Sequence, residues 1–434
     1  MKVREAAYLS LERCDKTDKF SNLELDSAIK KYGFTGQDRA FFTTLVYGTI
    51  ERRITLDYVI GVYSSKPIEK IEPKLMNILR LGAYQILFLD RTPDSAAVNE
   101  SVELAKYHTH KGTASFVNAI LRNISRGKGN IPMPKEDSDQ YLSVKYSLPE
   151  WLISMWRDNY GSEKTEKLLD GMNRAPYMTL RVNTLKNTRE ELIEALKKDG
   201  IDCSPSDKCD SALILNSNVP IADLKALGEG LCFIQDEASQ LCVKAVGAKP
   251  GETVIDTCSC PGGKSFGIAI EMKNEGKLTS LDLHESKLSL VVSGAERLGI
   301  CILNAEVHNG TKPKEDLVGS ADRVLCDVPC SGLGVIAKKP DLRHKSPDDI
   351  SRLPEIQYKI LCNGASYLRS GGTLVYSTCT LNKRENEEVV EKFLSEHPEF
   401  SPCGEGMYEG KPMMTFFPDE HGTDGFFVAK FIKK

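Results

Sequence analysis

Residues 253–282 read TVIDTCSCPGGKSFGIAIEMKNEGKLTSLD. A short run of apolar and β-branched residues, TVID, gives way to a turn of small residues at Pro261, Gly262 and Gly263, and a helix is expected to open near Lys264. A second apolar strand, LTSLD, ends on Asp282. Strand, glycine turn, helix and strand make up the unit of a doubly wound, largely parallel sheet. In such sheets ligands bind beyond the carboxyl ends of the strands, where helix N–H groups point outward. ILNAEV, DRVLCD, GTLVYS and GFFVAKFI continue the alternation, most of them separated by helix-length spacers. The fold class expected from about residue 241 to 434 is therefore α/β.

Upstream the pattern changes. Apolar residues recur at helical spacing through AFFTTLVYGTIERRITLDYVIGVY and KLMNILRLGAYQILFL, and two more helices are expected after Pro93 and from Thr113, so residues 1–130 read as all-α. RGKGNIPMPKEDSD, residues 126–139, is rich in Gly, Pro and charge and reads as a linker. Residues 140–240 mix helices (LPEWLISMWRDNYG, SEKTEKLLDGMN, TREELIEALKKDG) with short strands (YMTLRVN, and around Ala212–Leu215 and Leu231–Gln235), which predicts a small α+β module.

The 434 residues are 41% hydrophobic and 27% charged, with room for two or three cores. The net charge of −4 divides unevenly: residues 1–130 carry 20 Lys and Arg against 15 Asp and Glu, and the remainder 37 against 46. A basic block on an acidic body suggests a polyanionic partner for the first part, although five charges also lie within ordinary surface variation. No apolar run approaches the roughly 18 residues of a membrane span, and the first residues lack a signal-peptide profile. The 13 cysteines are scattered without a disulfide framework, so a cytoplasmic location is expected.

The glycine loop admits three ligands. A phosphate-cradling loop of the G-x-x-x-x-G-K-S type needs glycine where Cys258 stands, and G-x-G-x-x-G is absent. S-adenosylmethionine has no pyrophosphate to cradle; it asks for close backbone around its methionine part and an acid at the end of the second strand for the ribose hydroxyls. Asp282 holds that place, which a turn or capping acid would also occupy. Four thiols, Cys258, Cys260, Cys330 and Cys379, gather at expected strand ends. Zinc is disfavoured because the spacing offers no C-x-x-C pair and no histidine pair, so no metal is expected. Cys379 follows a strand and precedes LNKRENEEVVEKFL, a helix expected to be capped by Asn382 with Glu385 three residues on. A thiol beside a helix N-terminus can ionise near neutral pH; a buried, inert core cysteine is the competing reading. A thiolate, an acid such as Asp327 and a methyl donor together suit carbon 5 of a pyrimidine. That carbon becomes nucleophilic only when a thiolate adds to carbon 6.

DVPCSG (327–332), STCT (377–380) and CSCPGGK (258–264) resemble the Sun/Fmu family of RNA cytosine-5 methyltransferases, in particular its members that act on bacterial 16S rRNA. YGTIERR (47–53) and FVNAILRN (116–123) resemble the helical RNA-binding domain shared with the antitermination factor NusB. TLRVN (179–183) and QDEASQ (235–240) resemble the family's pre-catalytic region, and DGFFVAKF (424–431) its closing strand. The resemblance covers nearly the whole chain. It implies a Rossmann-like, seven-stranded S-adenosylmethionine-dependent methyltransferase domain over 241–434, a small α+β (RRM- or ferredoxin-like) module over 140–240, and an all-α NusB-like domain over 1–130.

By the same resemblance Cys379 is the carbon 6 nucleophile, Cys330 assists release of the product, and Asp327 contacts the base. Cys258, Ser259, Cys260, Pro261, Gly262, Gly263 and Lys264 line the cofactor together with Asp327, Asp282 holds its ribose, and Asn309 lies on its adenine side. DNA cytosine-5 methyltransferases use the cysteine of the Pro-Cys motif instead, so it is the resemblance that assigns the two thiols. Ser259 and Cys260 replace the family's alanines, Asn309 replaces an Asp, and Val328 stands where Ala or Pro is usual. The implied substrate is 16S rRNA, free or in a small-subunit assembly intermediate, at the family's usual cytosine 967. Arg52, Arg53, Lys111, Arg122, Arg126 and Lys128 are candidate phosphate contacts. The same chemistry on tRNA, and a non-catalytic RNA-binding assembly factor, are the competing readings.

Overall fold

The computed structural model describes residues 2–16, 21–136, 138–174, 177–216 and 219–434; residues 17–20 of the all-α block and Asp137 of the linker lie outside the described residues. The chain divides into two units, one formed by residues up to Thr165 with Lys339–Lys345, the other by Glu166–Lys338 and Ser346–Lys434.

The first unit is helical. Its helices Val3–Lys16, Ser21–Tyr32, Gly36–Glu51, Arg53–Tyr63, Pro73–Phe88, Asp94–His108 and Thr113–Gly127 share one core around Phe42, Leu45, Leu56, Ile78 and Leu121. The periodic stretch 40–63 is two helices rather than one, broken where Arg52 leaves helical geometry at φ −95°, ψ 11°. The expected linker ends in a helix start: the Ser138 side chain accepts from Tyr141 N at 3.0 Å and caps Asp139–Tyr146. By contact that helix and Glu150–Tyr160 group with the first unit, while the sequence reading runs the α+β module from residue 140. Thr55 Oγ1 of the helix Arg53–Tyr63 donates to Val144 O at 2.6 Å.

The second unit contains two sheets. The smaller pairs β1 (Met178–Val182), β2 (Cys203–Pro205), β3 (Ala212–Leu215) and β4 (Cys232–Ile234) in the antiparallel order β2-β3-β1-β4. The larger is built from β5 (Thr253–Asp256), β6 (Lys277–Asp282), β7 (Leu303–Val307), β8 (Ala321–Asp327), β9 (Leu368–Thr378), β10 (Phe400–Pro402), β11 (Met413–Phe416) and β12 (Phe426–Lys433). Its order is β10-β12-β9-β8-β5-β6-β7, parallel from β7 to β9 and antiparallel between β9 and β12. Among the described residues the sheet follows a path of seven strands, with β11 added beside β12. The edge position is shared by two short ones: β10 pairs with residues 431–433 of β12 and β11 with residues 426–429.

Both faces of this sheet are covered, which is why its central strands read as unbroken apolar runs. Successive side chains enter opposite cores. Val254, Leu325, Val375 and Val428 face one, and Ile255, Val324, Leu374, Tyr376 and Phe427 face the other.

Arg181 on β1 joins the small sheet to the helix that follows the glycine loop, Gly263–Glu271. It is 1% exposed and donates to Glu271 Oε1 at 2.8 Å and to Gln235 Oε1 at 3.3 Å. A Cβ on Gly267 would lie 2.4 Å from Arg181 Nη1. Gly267→Ala should therefore lower stability by about 1–3 kcal/mol, as overpacking does. A urea titration checks this, and an unchanged midpoint would show that the guanidinium can move aside.

Candidate functional site

β5, β6, β8 and β9 run parallel, so their carboxyl ends form one rim carrying Asp256, Asp282, Asp327 and, just past β9, Cys379. The register between β8 and β9 places Asp327 opposite Ser377. The two loops that leave these strands bring the half-buried Cys330 and Cys379 together, with sulfurs 3.2 Å apart. The hydrogen bond to the Cys379 sulfur, followed by burial and nearby Glu385, holds the Cys330 thiol well above the ordinary cysteine range. Beside the Cys379 sulfur, Cys330 thus keeps its proton.

Asp327 is clamped. Its Oδ1 accepts from Ser377 Oγ at 2.8 Å and its Oδ2 from Lys264 Nζ at 2.7 Å. Lys264 comes from the glycine loop, and its ammonium also sits 5.0 Å from the Phe426 ring centre. Burial lowers the pKa of this lysine, but the charge of Asp327 more than offsets that and raises it above the ordinary lysine value. Lys264 and Asp327, both expected along the cofactor, thus pair with each other.

The expected helix start at Asn382 is not found. The helix begins at Glu387, and Asn382 instead accepts from Arg384 N at 3.2 Å and donates to Glu385 Oε1 at 2.9 Å. A helix terminus three residues after Cys379 is therefore not what conditions that thiol. Glu385, expected as a partner in the cap, is completely buried and serves another purpose. Its Oε2 accepts from Ser331 N at 2.8 Å and from Gln357 Nε2 at 2.9 Å, while its carbonyl accepts from Tyr376 OH at 2.6 Å. Ser331 and Thr380 hydroxyls meet at 2.6 Å. One carboxylate thus ties the Cys330 loop to the Cys379 loop, a role that only the order of strands in space reveals.

The glycine loop is pinned to β6: Ser259 N donates to Leu281 O at 2.8 Å and Cys260 N to Asp282 Oδ2 at 3.2 Å. The peptide bond between Cys260 and Pro261 is cis. Gly262 has φ 109°, and a Cβ there would lie 2.3 Å from Phe266 Cζ, so this position requires glycine. Gly263, in contrast, has only an ordinary contact to Gln235 at 3.5 Å. Burial pushes the Cys258 thiol well up and, with Asp282, the Cys260 thiol to about 12, so both line the loop as neutral groups.

Several features suit a bound nucleoside. Among the described residues Asp282 accepts from the N–H groups of Cys260 and His284. The apolar Leu283 beside it is 54% exposed. The Ser259 hydroxyl is buried without a hydrogen-bond partner among the described residues. Asn309 Oδ1 is already engaged by Thr311 N and Oγ1 at 3.1 and 2.8 Å. Among the described residues no group of three or more His, Cys, Asp and Glu is placed to hold a metal ion.

In the first unit, Lys111, Arg122 and Arg126 are exposed. Arg52 pairs with Glu51 at 3.3 Å, Arg53 with Asp15 at 3.0 Å and Lys128 with Asp94 at 3.0 Å. Phosphate contacts from these three would first have to exchange an internal partner.

Residues 243–432 match the model of the family described as 16S rRNA methyltransferase RsmB/F, residues 1–126 that of the NusB family, and residues 148–222 that of the ferredoxin-like domain of RsmF/B-like methyltransferases. The chain is 41% identical to a probable ribosomal RNA small subunit methyltransferase B of Bacillus subtilis, over 100% of this chain and 99% of that one. It is 35% identical to a protein of the same description from Synechocystis, over 99% of both chains. Among solved structures, PH0851 aligns with a TM-score of 0.86 at 29% identity, over 100% of this chain and 98% of that one.

The buried Asp256 lies beneath the glycine loop and accepts from Ser265 Oγ at 2.7 Å. Burial, against the Ser265 hydrogen bond and helped by the charge of Asp327, pushes its carboxyl up to about 7. The folded state then binds this proton more tightly than the unfolded chain, whose aspartate titrates near pH 4. Wild-type stability should fall as pH rises from about 4 to about 7 on this account, by at most about 4 kcal/mol. Asp256→Asn has no such proton to lose, so its stability relative to wild type should climb across that window and level off above it. Urea unfolding at a series of pH values measures the difference, and a flat difference contradicts the assignment.

Proposed function

The chain belongs to the RsmB/F family of 16S rRNA methyltransferases, and from that premise we propose that it methylates carbon 5 of a cytosine in 16S rRNA, at the family's usual cytosine 967, with S-adenosylmethionine as donor. The observation that carries this reading is the pair of thiols at 3.2 Å beside the Lys264–Asp327 clamp. S-adenosylmethionine, when bound, supplies an electrophilic methyl group; Asp282 and the glycine loop are the residues that would hold it.

The geometry supports the following chemistry. The target cytosine leaves its stack to reach the rim. Cys379 sulfur bonds to carbon 6, and the electrons of the carbon 5–carbon 6 double bond make carbon 5 nucleophilic. Asp327, fixed by Ser377 and Lys264, meets the N3/N4 edge of the base and stabilises the charge that develops there. Attraction between the Lys264 ammonium and a thiolate at 379 favours the attacking form.

Carbon 5 takes the methyl group and must then lose its proton. Cys330 is suited to remove it. The leading cause that keeps its thiol protonated is the Cys379 sulfur, and that cause disappears once Cys379 is bonded to carbon. Cys330 would first release its own proton to solvent; transfer of the carbon 5 proton to the resulting thiolate then re-forms the double bond and expels Cys379 as thiolate. The exposed Lys111, Arg122 and Arg126 are the members of the basic set best placed to meet phosphates without giving up an internal ion pair.

Incubation with cofactor and 16S rRNA should leave Cys330→Ala covalently attached to RNA on a denaturing gel, with no such species for Cys379→Ala. The reverse result would exchange the two roles. Adduct with tRNA alone would move the substrate, and neither adduct nor methyl transfer by the wild type would favour an RNA-binding assembly factor.

A further inference from the structure

β9 ends at Thr378, and Cys379 stands in the bend beyond it, where the ladder of the sheet no longer fixes the backbone. Other groups hold it there. Gly334 N donates to Cys379 O at 3.0 Å, which orients the peptide plane that follows the cysteine. The residues on its two sides are held by a single side chain. Thr378 Oγ1 donates to Asn386 Oδ1 at 2.6 Å, and Asn386 Nδ2 donates to Thr380 O at 2.9 Å. Thr380 O can only accept, so the amino end of the amide faces it and the carbonyl end is left for the Thr378 hydroxyl. Thr378, Thr380 and Asn386 are all completely buried.

Asn386 stands at the cap position of the helix Glu387–Glu396, where an asparagine ordinarily turns its side-chain oxygen onto the first N–H groups of the helix. Among the described residues it makes no such bond. The side chain turns back to the end of β9 instead and bridges the residues before and after Cys379. Its task differs from that of its neighbour. The Glu385 carboxylate joins the Cys379 loop to the Cys330 loop through Ser331 N, whereas the Asn386 amide sets the attitude of the cysteine within its own loop.

The bridge asks for one acceptor and one donor on the same short, neutral group. Aspartate would set a carboxylate oxygen against Thr380 O, and alanine would offer neither bond. A sulfur that must add to a ring carbon reacts fast only when it is already aimed at that carbon from about 3–3.5 Å. We propose that Asn386 is a positioning residue of the methyl-transfer reaction: by bridging Thr378 and Thr380 it aims the Cys379 sulfur at carbon 6 of the target base. The proposal rests on the reading of Cys379 as the attacking sulfur and deepens it.

The test follows the single-turnover rate at which full-length Cys330→Ala becomes attached to 16S rRNA on a denaturing gel, over a range of RNA concentrations with cofactor present. Adding Asn386→Ala should lower the limiting rate about a hundredfold, the cost of displacing a reacting atom by about 1 Å, and leave the half-saturating RNA concentration unchanged. Thr378→Val keeps the shape of the side chain but loses the donor hydroxyl, and should also lower the limiting rate. Thr378→Ser, which keeps the hydroxyl, should recover most of that loss. Urea titrations identify the variants that fold, and the Thr378 pair decides the matter if Asn386→Ala does not. A limiting rate equal to that of Cys330→Ala alone overturns the bridge and leaves the methylation reading standing. So does a shift confined to the half-saturating concentration, or equal slowing by Thr378→Ser and Thr378→Val. No adduct by Cys330→Ala itself removes both.

Discussion

The carboxylate of Glu385 is the point on which the catalytic centre hangs. It is fully buried, yet it accepts from Ser331, Gln357 and Asn382, and the peptide carbonyl of the same residue accepts from Tyr376. A buried charge is costly unless its lone pairs are satisfied. Here the partners come from both loops that leave β8 and β9 and from the helix Leu353–Tyr367. The arrangement that satisfies the carboxylate is thus the one that sets the two loops side by side and the two sulfurs 3.2 Å apart. Hydrogen-bonded networks of this kind specify a geometry more than they add stability.

The sheet supplies the second constraint. Because β5, β6, β8 and β9 are parallel, three acids and a thiol at their carboxyl ends open in one direction, and the chemistry of each acid is set by what lies beneath it. Asp256 is sealed under the loop and favours its protonated form, Asp282 spends two acceptor sites on loop N–H groups, and Asp327 is held by Lys264 and Ser377. Three acids of the same type on one rim thereby take three different tasks through their surroundings.

Much of this was legible in the sequence, and the limits are informative. Unbroken apolar runs announced β5, β8, β9 and β12, because strands buried on both faces need no polar alternation. The glycine loop was recognisable because Gly262 occupies a backbone region that excludes other residues. The strand pattern put Cys330 and Cys379 on one rim, but not in contact, since 48 intervening residues say nothing about which strands become neighbours. Asn382 and Glu385 imitate the spacing of a capping box; their mutual bond is real, but it joins side chains in a turn ahead of the helix. Lys264 could not be assigned to Asp327 because an ion pair across 63 residues leaves no local pattern. β10 and β11 escaped notice because three and four residues are too few to display a period.

Those two short strands also protect the molecule from itself. An exposed sheet edge carries a row of unsatisfied N–H and C=O groups on which another chain can assemble, and long flat edges seed fibrils. Beyond β12 the outermost position is divided between pieces too brief to template such growth, and one ends at Pro402, which has no N–H to offer. At the opposite border β7 runs for only five residues and exposes Asn304 and Val307. At the β12 margin, at least, the sheet thus offers another chain only short lengths of edge to extend.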